Sequence, residues 1–491
     1  MKEKVKQISK NTLIYGLGNT LNKFMGIFLI PMYAAYIPIG QFGVLAVFEM
    51  AILFLVNLIP LGIPQGHERY FFREKEKGEY GTFLFSLVTA HLVVSFVIIS
   101  LFIAFREPLA FAVSGNASNG RVMALVCISL FFEANNLIPL HQLQYENKPL
   151  QYTSQNLMKL VVSLGVTLYL VIRLRYGIEG VFLGRICGSG LLFVWQMAGN
   201  VLPKVNWTFR WEKVKQAVAY GFPMILGNLG FLLFLMSDRY LVNMVLGNDD
   251  VGKYSFGYRM ASIVLVFTQA VTVSYLPTLF GQEKEKDNRR YYTKMLTYYA
   301  FITSWLILGF LFFYKIPLWP LVKNREYWDG LAVVPVLCYS FIVQGMIFFT
   351  VAGVYLTNNN RFVVLPNFAI AAVNILLNLL LLPKFGIMVA AVATLVSHAM
   401  LVGTNSYFSR RFYGIRFEWT KVLSALGISA VLLVAGNLFD PFGNAIKLLV
   451  RLALLAMFPL ILYFLGFFEA IELKTIRDIT IGRFRSKKQM P

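Results

Sequence analysis

Apolar runs of about twenty residues recur from one end of this 491-residue chain to the other. A run of that length, wound as an α-helix, is long enough to cross the hydrocarbon core of a bilayer. The runs are continuous and do not alternate apolar with polar residues, so they indicate helices and not the strands of a barrel. Charged residues make up only 14% of the chain, against about 25% in soluble domains. The sequence therefore predicts an all-α integral membrane protein.

We expect about fourteen transmembrane helices, called here predicted spans 1 to 14. Gly, Pro and Asn residues interrupt many of the junctions between them, as is usual where helices end. The spans lie at residues 11–36, 41–66, 82–104, 121–145, 149–173, 178–201, 214–246, 251–280, 290–313, 331–356, 363–382, 386–408, 420–438 and 446–468.

The basic residues give the expected orientation. Of the 45 lysines and arginines, 28 lie in the tail or in links on the side of the N-terminus, and 10 lie in links on the opposite side. Such an excess marks the cytoplasmic side, and a miscounted helix would reverse the bias further along the chain. Both termini are therefore predicted to be cytoplasmic. Because these bases lie in short links, the net charge of +21 does not indicate a nucleic-acid-binding protein.

An internal repeat divides the first twelve predicted spans into two sets of six. Three short motifs recur at offsets of 205, 209 and 209 residues, and the pairs are Tyr15-Gly16 with Tyr220-Gly221, Gly43 with Gly252, and Tyr176-Gly177 with Phe385-Gly386. Six helices preserve orientation, so the repeats are parallel, as in transporters with a central substrate site. We predict an N-terminal lobe at 1–203, a second lobe at 204–412, and a terminal helix pair with a basic cytoplasmic tail at 413–491.

Charged residues inside the predicted spans point to an aqueous cavity. A charge at mid-membrane costs about 2.5–3.5 kcal/mol on insertion scales, so it persists where it is paired or wet. The bases are Lys23, Lys159, Arg185, Arg239 and Arg259, and the acids are Glu49, Glu133 and Asp238. Polar residues at helical spacing beside them extend the expected lining, and these are Asn19, Asn22, Ser262 and Gln269.

Five bases against three acids predict a positive cavity suited to an anionic substrate, and Arg offers two parallel hydrogen bonds to phosphate. The alternative is purely structural pairing, for instance of Asp238 with Arg259. Glu49, Asp238 and Glu133 are expected to be counter-ions or to carry a coupling Na⁺ or H⁺. The three cysteines and four histidines form no metal-spaced or catalytic motif, so we expect no metal site, no cofactor and no enzyme active site.

Three segments carry a resemblance to a known superfamily: Asn11 to Lys23, Ser237-Asp238-Arg239-Tyr240 and Val251-Gly252-Lys253-Tyr254-Ser255. In order and spacing they resemble the multidrug/oligosaccharidyl-lipid/polysaccharide flippase superfamily, and within it the polysaccharide biosynthesis proteins or Wzx-type flippases. The resemblance implies two six-helix lobes around a cavity that opens alternately to each side. Its positions for a cationic cavity fall on Lys23, Arg239 and Arg259.

The resemblance also implies a substrate, an oligosaccharide on undecaprenyl pyrophosphate. Such a protein would flip it across a bacterial inner membrane for O-antigen or exopolysaccharide synthesis, as a monomer beside glycosyltransferases and a polymerase. A lipid II flippase and a multidrug/cation antiporter remain alternatives, although the antiporter favours an acidic cavity. A membrane-embedded glycosyltransferase or ligase is a remote alternative. The sequence leaves open the glycan, the coupling ion and the role of the last two helices.

Overall fold

A computed structural model describes residue 29 and residues 31–268, 271, 288–357, 359, 361–441 and 443–469, except for the side chains of 226–231, 233–235 and 361. Most of predicted span 1 and the end of predicted span 8 lie outside these residues. The helices of the first part are α1 (Ile39–Leu58), α2 (Ile63–Glu76), α3 (Tyr80–Ala104), α4 (Arg106–Ser114), α5 (Gly120–Asn135), α6 (Leu137–Tyr145), α7 (Pro149–Leu168), α8 (Gly177–Gln196), α9 (Trp211–Leu246) and α10 (Asn248–Ala261).

The second part is also helical, and the described residues contain no strand. Its helices are α11 (Asn288–Phe313), α12 (Lys315–Leu321), α13 (Glu326–Asp329), α14 (Val334–Thr350), α15 (Ala352–Leu356), α16 (Arg361–Phe385), α17 (Met388–Tyr413), α18 (Trp419–Asn437) and α19 (Asn444–Phe464).

Within the described residues, 11 helical segments are long and apolar enough to cross a membrane. They correspond one to one to predicted spans 2–6 and 9–14, which confirms the all-α, multi-pass membrane architecture. Predicted span 7 is α9, and predicted span 8 begins as α10. The total of fourteen stays a prediction.

Predicted span 2 is wrong in its second half, because one continuous helix to residue 66 does not form. The helix α1 ends at Leu58, and the chain turns through Leu61 and Gly62, whose φ angles are 49° and 83°. The next helix, α2, begins with Pro64 in its first turn. A proline after a turn cannot continue the preceding hydrogen-bond ladder but is well placed to start a new one.

Glycines set three close helix contacts. A Cβ on Gly184 or Gly188 of α8 would lie 2.6 or 2.5 Å from a backbone oxygen of α7. A Cβ on Gly43 of α1 would overlap the start of α10, and a Cβ on Gly66 of α2 would overlap Ala217 of α9. Small residues of this kind let helix backbones approach within a membrane. As a result, α1 and α2 contact α9 and α10 at both ends of predicted span 2.

The described residues fall into two compact units. The first comprises those within Met1–Val266, Pro320–Leu337 and Val364–Ser397, and the second those within Phe267–Trp319, Cys338–Val363 and His398–Pro491. In the second unit, the terminal pair α18 and α19 packs on α11. Arg451 of α19 is buried and donates to the Phe312 carbonyl and to Asp440, at 2.6 Å in each case. The division into two six-helix lobes remains a prediction.

Candidate functional site

A cavity of about 300 Å³ lies among α1, α5, α7 and α8 of the first unit. One face of α7 supplies much of its polar lining, through Asn156, Lys159, Ser163 and Thr167. These residues recur every three or four positions, so they project from one side of the helix. Because α8 approaches the same helix closely at its glycines, the long side chain of Arg185 reaches the cavity too.

Glu133 of α5 holds two cations in this cavity. Its carboxylate accepts two hydrogen bonds from Arg185, with Nε–Oε1 at 2.5 Å and Nη2–Oε2 at 2.8 Å. Lys159 Nζ lies 3.7 Å from the same carboxylate. The side chain of Glu133 is 11% exposed, whereas those of Arg185 and Lys159 are 28% and 30% exposed. Two cations on one carboxylate leave an excess of one positive charge.

Arg259 of α10 forms an ion pair with Glu49 of α1, and Glu49 also lines the cavity. Arg259 is thus paired structurally, as the alternative interpretation allowed, but its partner is Glu49 and not the Asp238 given there as an example. The physical reason lies in the close approach of Gly43 to Gly252. Since seven residues make about two helical turns, Arg259 projects from the same face of α10 as Gly252 and meets α1 near Glu49.

Arg239 of α9 is buried and has no carboxylate partner among the described residues. Its guanidinium lies 4.0 Å from the centre of the Tyr258 ring, and its Nη1 is 3.0 Å from the sulfur of Met50. The side chain is only 6% exposed, and among the described residues it forms no ion pair. An aromatic face partly stabilises a cation, but it does not neutralise it. Arg239 thus keeps a charge that an anion could approach.

Asp238, the neighbour of Arg239, lies in a separate oxygen-rich cluster among α9, α10, α16 and α17. Its carboxylate accepts hydrogen bonds from Thr394 at 2.5 Å, from Tyr254 at 3.1 Å and from Asn378 at 3.3 Å. The side-chain oxygen of Asn378 is buried and has no hydrogen-bond partner among the described residues. Asn374 links Ser237 to Ser397 beside it. Asn374 and Asn378 thus form hydrogen bonds between helices, as polar side chains within membrane spans commonly do.

The sequence did not predict some residues of the site, and some residues that it did predict lie outside the cavity or outside the described part of the chain. Thr394 and Tyr254 give no charge signal, and their role becomes visible only once the helices are packed. Ser262 donates to the Arg259 carbonyl at 2.7 Å at the end of α10 and does not line the cavity. Lys23, Asn19, Asn22 and Gln269 lie outside the described residues. Among the described residues, no cluster of His, Cys, Asp and Glu could hold a metal ion.

Two solved structures share the fold of this chain. One is a lipid II flippase, MurJ, in an inward closed conformation, with a TM-score of 0.74, 15% identity, and coverage of 92% of this chain and 99% of the other. Another is an inward-facing multidrug resistance MATE family transporter of the MOP superfamily, with a TM-score of 0.62, 12% identity, and coverage of 80% and 95%. The fold is therefore that of the multidrug/oligosaccharidyl-lipid/polysaccharide transporters, as the sequence resemblance predicted.

The family is more specific than the fold. Residues 39–327 match the polysaccharide biosynthesis protein family, and the chain belongs to it. A curated relative is the "Probable low-salt glycan biosynthesis flippase Agl15" of Haloferax volcanii, which is 19% identical over 418 residues, covering 83% of this chain and 84% of the relative.

Proposed function

We propose that this protein flips a lipid-linked oligosaccharide from the cytoplasmic to the outer leaflet of a bacterial inner membrane. The observation that carries the proposal is the surplus of cations in the first unit. Lys159 and Arg185 share Glu133, and Arg239 has no described carboxylate partner. A pyrophosphate between lipid and glycan is the anion that such a surplus suits, because guanidinium and phosphate form parallel charge-assisted hydrogen bonds. The family and its flippase relative support the same function.

Binding would proceed by exchange of anions. A pyrophosphate entering the cavity displaces Glu133 from Arg185 and Glu49 from Arg259, so no cation is left bare at any stage. Breaking a buried ion pair without replacement costs about 3–5 kcal/mol, and exchange avoids most of that cost. The glycan would occupy the polar interior while the lipid tail remains in the bilayer. Alternating opening of the predicted lobes would then release the head group outward.

Asp238 supports a proposal for the driving ion. Carboxylate, amide and hydroxyl oxygens are the ligands of hard cations, and Asn378 contributes a buried oxygen without a partner among the described residues. We propose that Asp238, with Thr394 and Asn378, takes a Na⁺ ion or a proton during transport. If transport kept its ion dependence after Asp238→Asn combined with Glu49→Gln, neither acid would be the coupling group.

Depletion of the protein in its host tests the substrate. The proposal expects a lipid-linked oligosaccharide to accumulate in the cytoplasmic leaflet, identified by mass spectrometry of extracted lipids. Accumulation of lipid II would instead assign the peptidoglycan pathway, and an increase only in drug sensitivity would assign the antiporter. Formation of a new glycosidic bond by the purified protein would contradict the view that it is a transporter and not an enzyme.

Complementation of the depleted host tests the site. Single Ala substitutions of the five bases predicted from the sequence should reduce surface polysaccharide at equal protein level, and these bases are Lys23, Lys159, Arg185, Arg239 and Arg259. Lys384→Ala is a matched control, since Lys384 is an exposed base at the end of α16. Full activity in all five variants would remove the cationic cavity from the mechanism.

A further inference from the structure

A second polar pocket lies where helix ends of the first unit meet, at the N-terminal end of α1. It has a volume of about 440 Å³ and includes the first residues of α1, α8 and α10 together with the link before α5. The side chains that give it its character are Gln41, Asn116, Asn119, Arg121, Tyr176 and Asp249. In the orientation predicted from the basic residues, this end of the bundle faces away from the cytoplasm.

The chemistry of this pocket differs from that of the deeper cavity. Arg121 is its one cation, against the carboxylates of Glu179 and Asp249. Arg121 is 83% exposed and lies 3.7 Å from Glu179, so it contributes little attraction for an anion. The rest of the polar lining is mainly amide and hydroxyl groups. The lining of this pocket therefore does not favour the binding of pyrophosphate.

Uncharged sugars match this lining. Side-chain amides both donate hydrogen bonds to sugar hydroxyl groups and accept hydrogen bonds from them, and carboxylates accept hydrogen bonds from them. The ring of Tyr176, 51% exposed, offers a flat face for the C–H side of a sugar. Gln41 and Asp249 are both exposed, and their side chains form no hydrogen bond with any other described residue. The pocket thus holds free polar groups beside an exposed aromatic ring.

The polar surface is longer than one sugar. A neighbouring pocket, also about 440 Å³, shares Asn248 with the first and adds Ser114, Tyr240 and Asn243. Asn243 and Asn248 are linked side chain to side chain at 2.6 Å, which fixes the boundary between the two. Together the pockets offer adjacent sites for more than one residue of an oligosaccharide.

We propose that the pocket at Gln41, Tyr176 and Asp249 is a glycan subsite that binds the uncharged sugars of the head group on the outer side of the membrane. This inference rests on the proposed function and its orientation. The pocket is built on the residues that begin α1 and α10, the helices joined by the Gly43–Gly252 contact. Sugars held there are bound beside the contact that has to open for release.

The test uses the full-length protein in nanodiscs. The probe is the glycan released by mild acid from the host's own lipid-linked oligosaccharide, free of lipid and pyrophosphate. Saturation-transfer NMR and a titration give its affinity for wild type, for Gln41→Ala/Tyr176→Ala, and for the control Gln151→Ala/Tyr169→Ala. The control removes an exposed glutamine and an exposed tyrosine that lie outside the pocket. We expect at least tenfold weaker binding in the pocket variant only.

Three results would overturn the proposal: no binding of the glycan to wild type, equal binding by both variants, or displacement of the glycan by inorganic pyrophosphate. Failure of the proposed function is a separate outcome. It would appear as the absence of accumulated lipid-linked oligosaccharide on depletion, whatever the free glycan does.

Discussion

Substituting Gly43 should change which end of the bundle is open. A Cβ at this position would lie 1.9 Å from the Asn248 carbonyl oxygen and 2.9 Å from the Gly252 nitrogen, whereas ordinary contacts begin at 3.4 Å. Both neighbours are backbone atoms, so no side-chain rotation can relieve the overlap. In Gly43→Ala, α1 and α10 therefore have to separate by about 1.5 Å, the difference between 3.4 and 1.9 Å.

The size of the effect follows from overpacking, which costs about 1–3 kcal/mol for added methyl-sized groups. This cost falls only on states in which α1 and α10 touch. Since about 1.4 kcal/mol is a tenfold change in an equilibrium, the ratio of open to closed states should rise about 5- to 150-fold. Gly66→Ala should act in the opposite sense, because its Cβ would lie 2.4 Å from Ala217 Cα at the contact between α2 and α9, at the other end of predicted span 2.

Cysteine accessibility measures this shift. Ser163→Cys places a reporter in the Glu133 cavity, in a Cys187→Ser background because Cys187 is exposed whereas Cys127 and Cys338 are buried. A membrane-impermeant maleimide should label the reporter faster from outside in Gly43→Ala and faster from inside in Gly66→Ala. Gly403→Ala is the control, since a Cβ there meets no atom within 4 Å. Faster labelling from the same side in both variants would refute the reasoning.

Glu146→Gln should lower the melting temperature at neutral pH. Burial raises the pKa of Glu146, but hydrogen bonds from Lys148, Lys204 and Gln142 have a larger effect and hold the pKa at about 2. The unfolded pKa is about 4.3, so the carboxylate stabilises the fold above about pH 5. Because its lysine partners are partly exposed, solvent screening reduces this contribution to about 1 kcal/mol, and the difference from the variant should shrink as the pH falls from 5 to 2. A difference that persists at pH 2 would contradict the assignment. Arg185→Lys keeps the charge but loses the two parallel N–H donors of the guanidinium. Pyrophosphate binding, measured by calorimetry, should therefore weaken by about 1.5–3 kcal/mol. Unchanged affinity would exclude a bidentate contact. Arg451→Met should speed hydrogen exchange in α18 and α19, since it removes the hydrogen bonds to Phe312 and Asp440. Unchanged exchange would mean that apolar packing alone holds the pair.

Hydropathy predicted much of the fold, because insertion into a bilayer depends on the length of each apolar span. The orientation inferred from basic residues stays a prediction. The break between α1 and α2 was missed. Pro60 and Pro64 are visible in the sequence, but apolar residues on both sides of the turn hide it from a hydropathy profile.

The charged members of the candidate site, such as Glu133, Lys159 and Arg185, were predictable from the sequence, but their pairing was not. A charge inside a span is conspicuous because it is costly there. Which acid meets which base depends on helix rotation and register, and these are set by contacts such as Gly43 with Gly252. Without those contacts, Asp238 was an equally reasonable partner for Arg259 as Glu49.

The acids explain why a cationic cavity can release what it binds. Charge-assisted hydrogen bonds are each worth about 1.5–3 kcal/mol, so three unopposed bases on one pyrophosphate could hold it too tightly for repeated transport. Glu133 and Glu49 lie within direct reach of Arg185 and Arg259, and they compete with the substrate for the same donors. They also stabilise the empty protein, in which bare cations at mid-membrane would be costly. Arg239 contacts Tyr258 and Met50 and forms no ion pair with a described carboxylate, and the neighbouring Asp238 offsets its charge only in part. The net attraction for an anion is therefore small, and small net attraction is what reversible binding on both sides of a membrane requires.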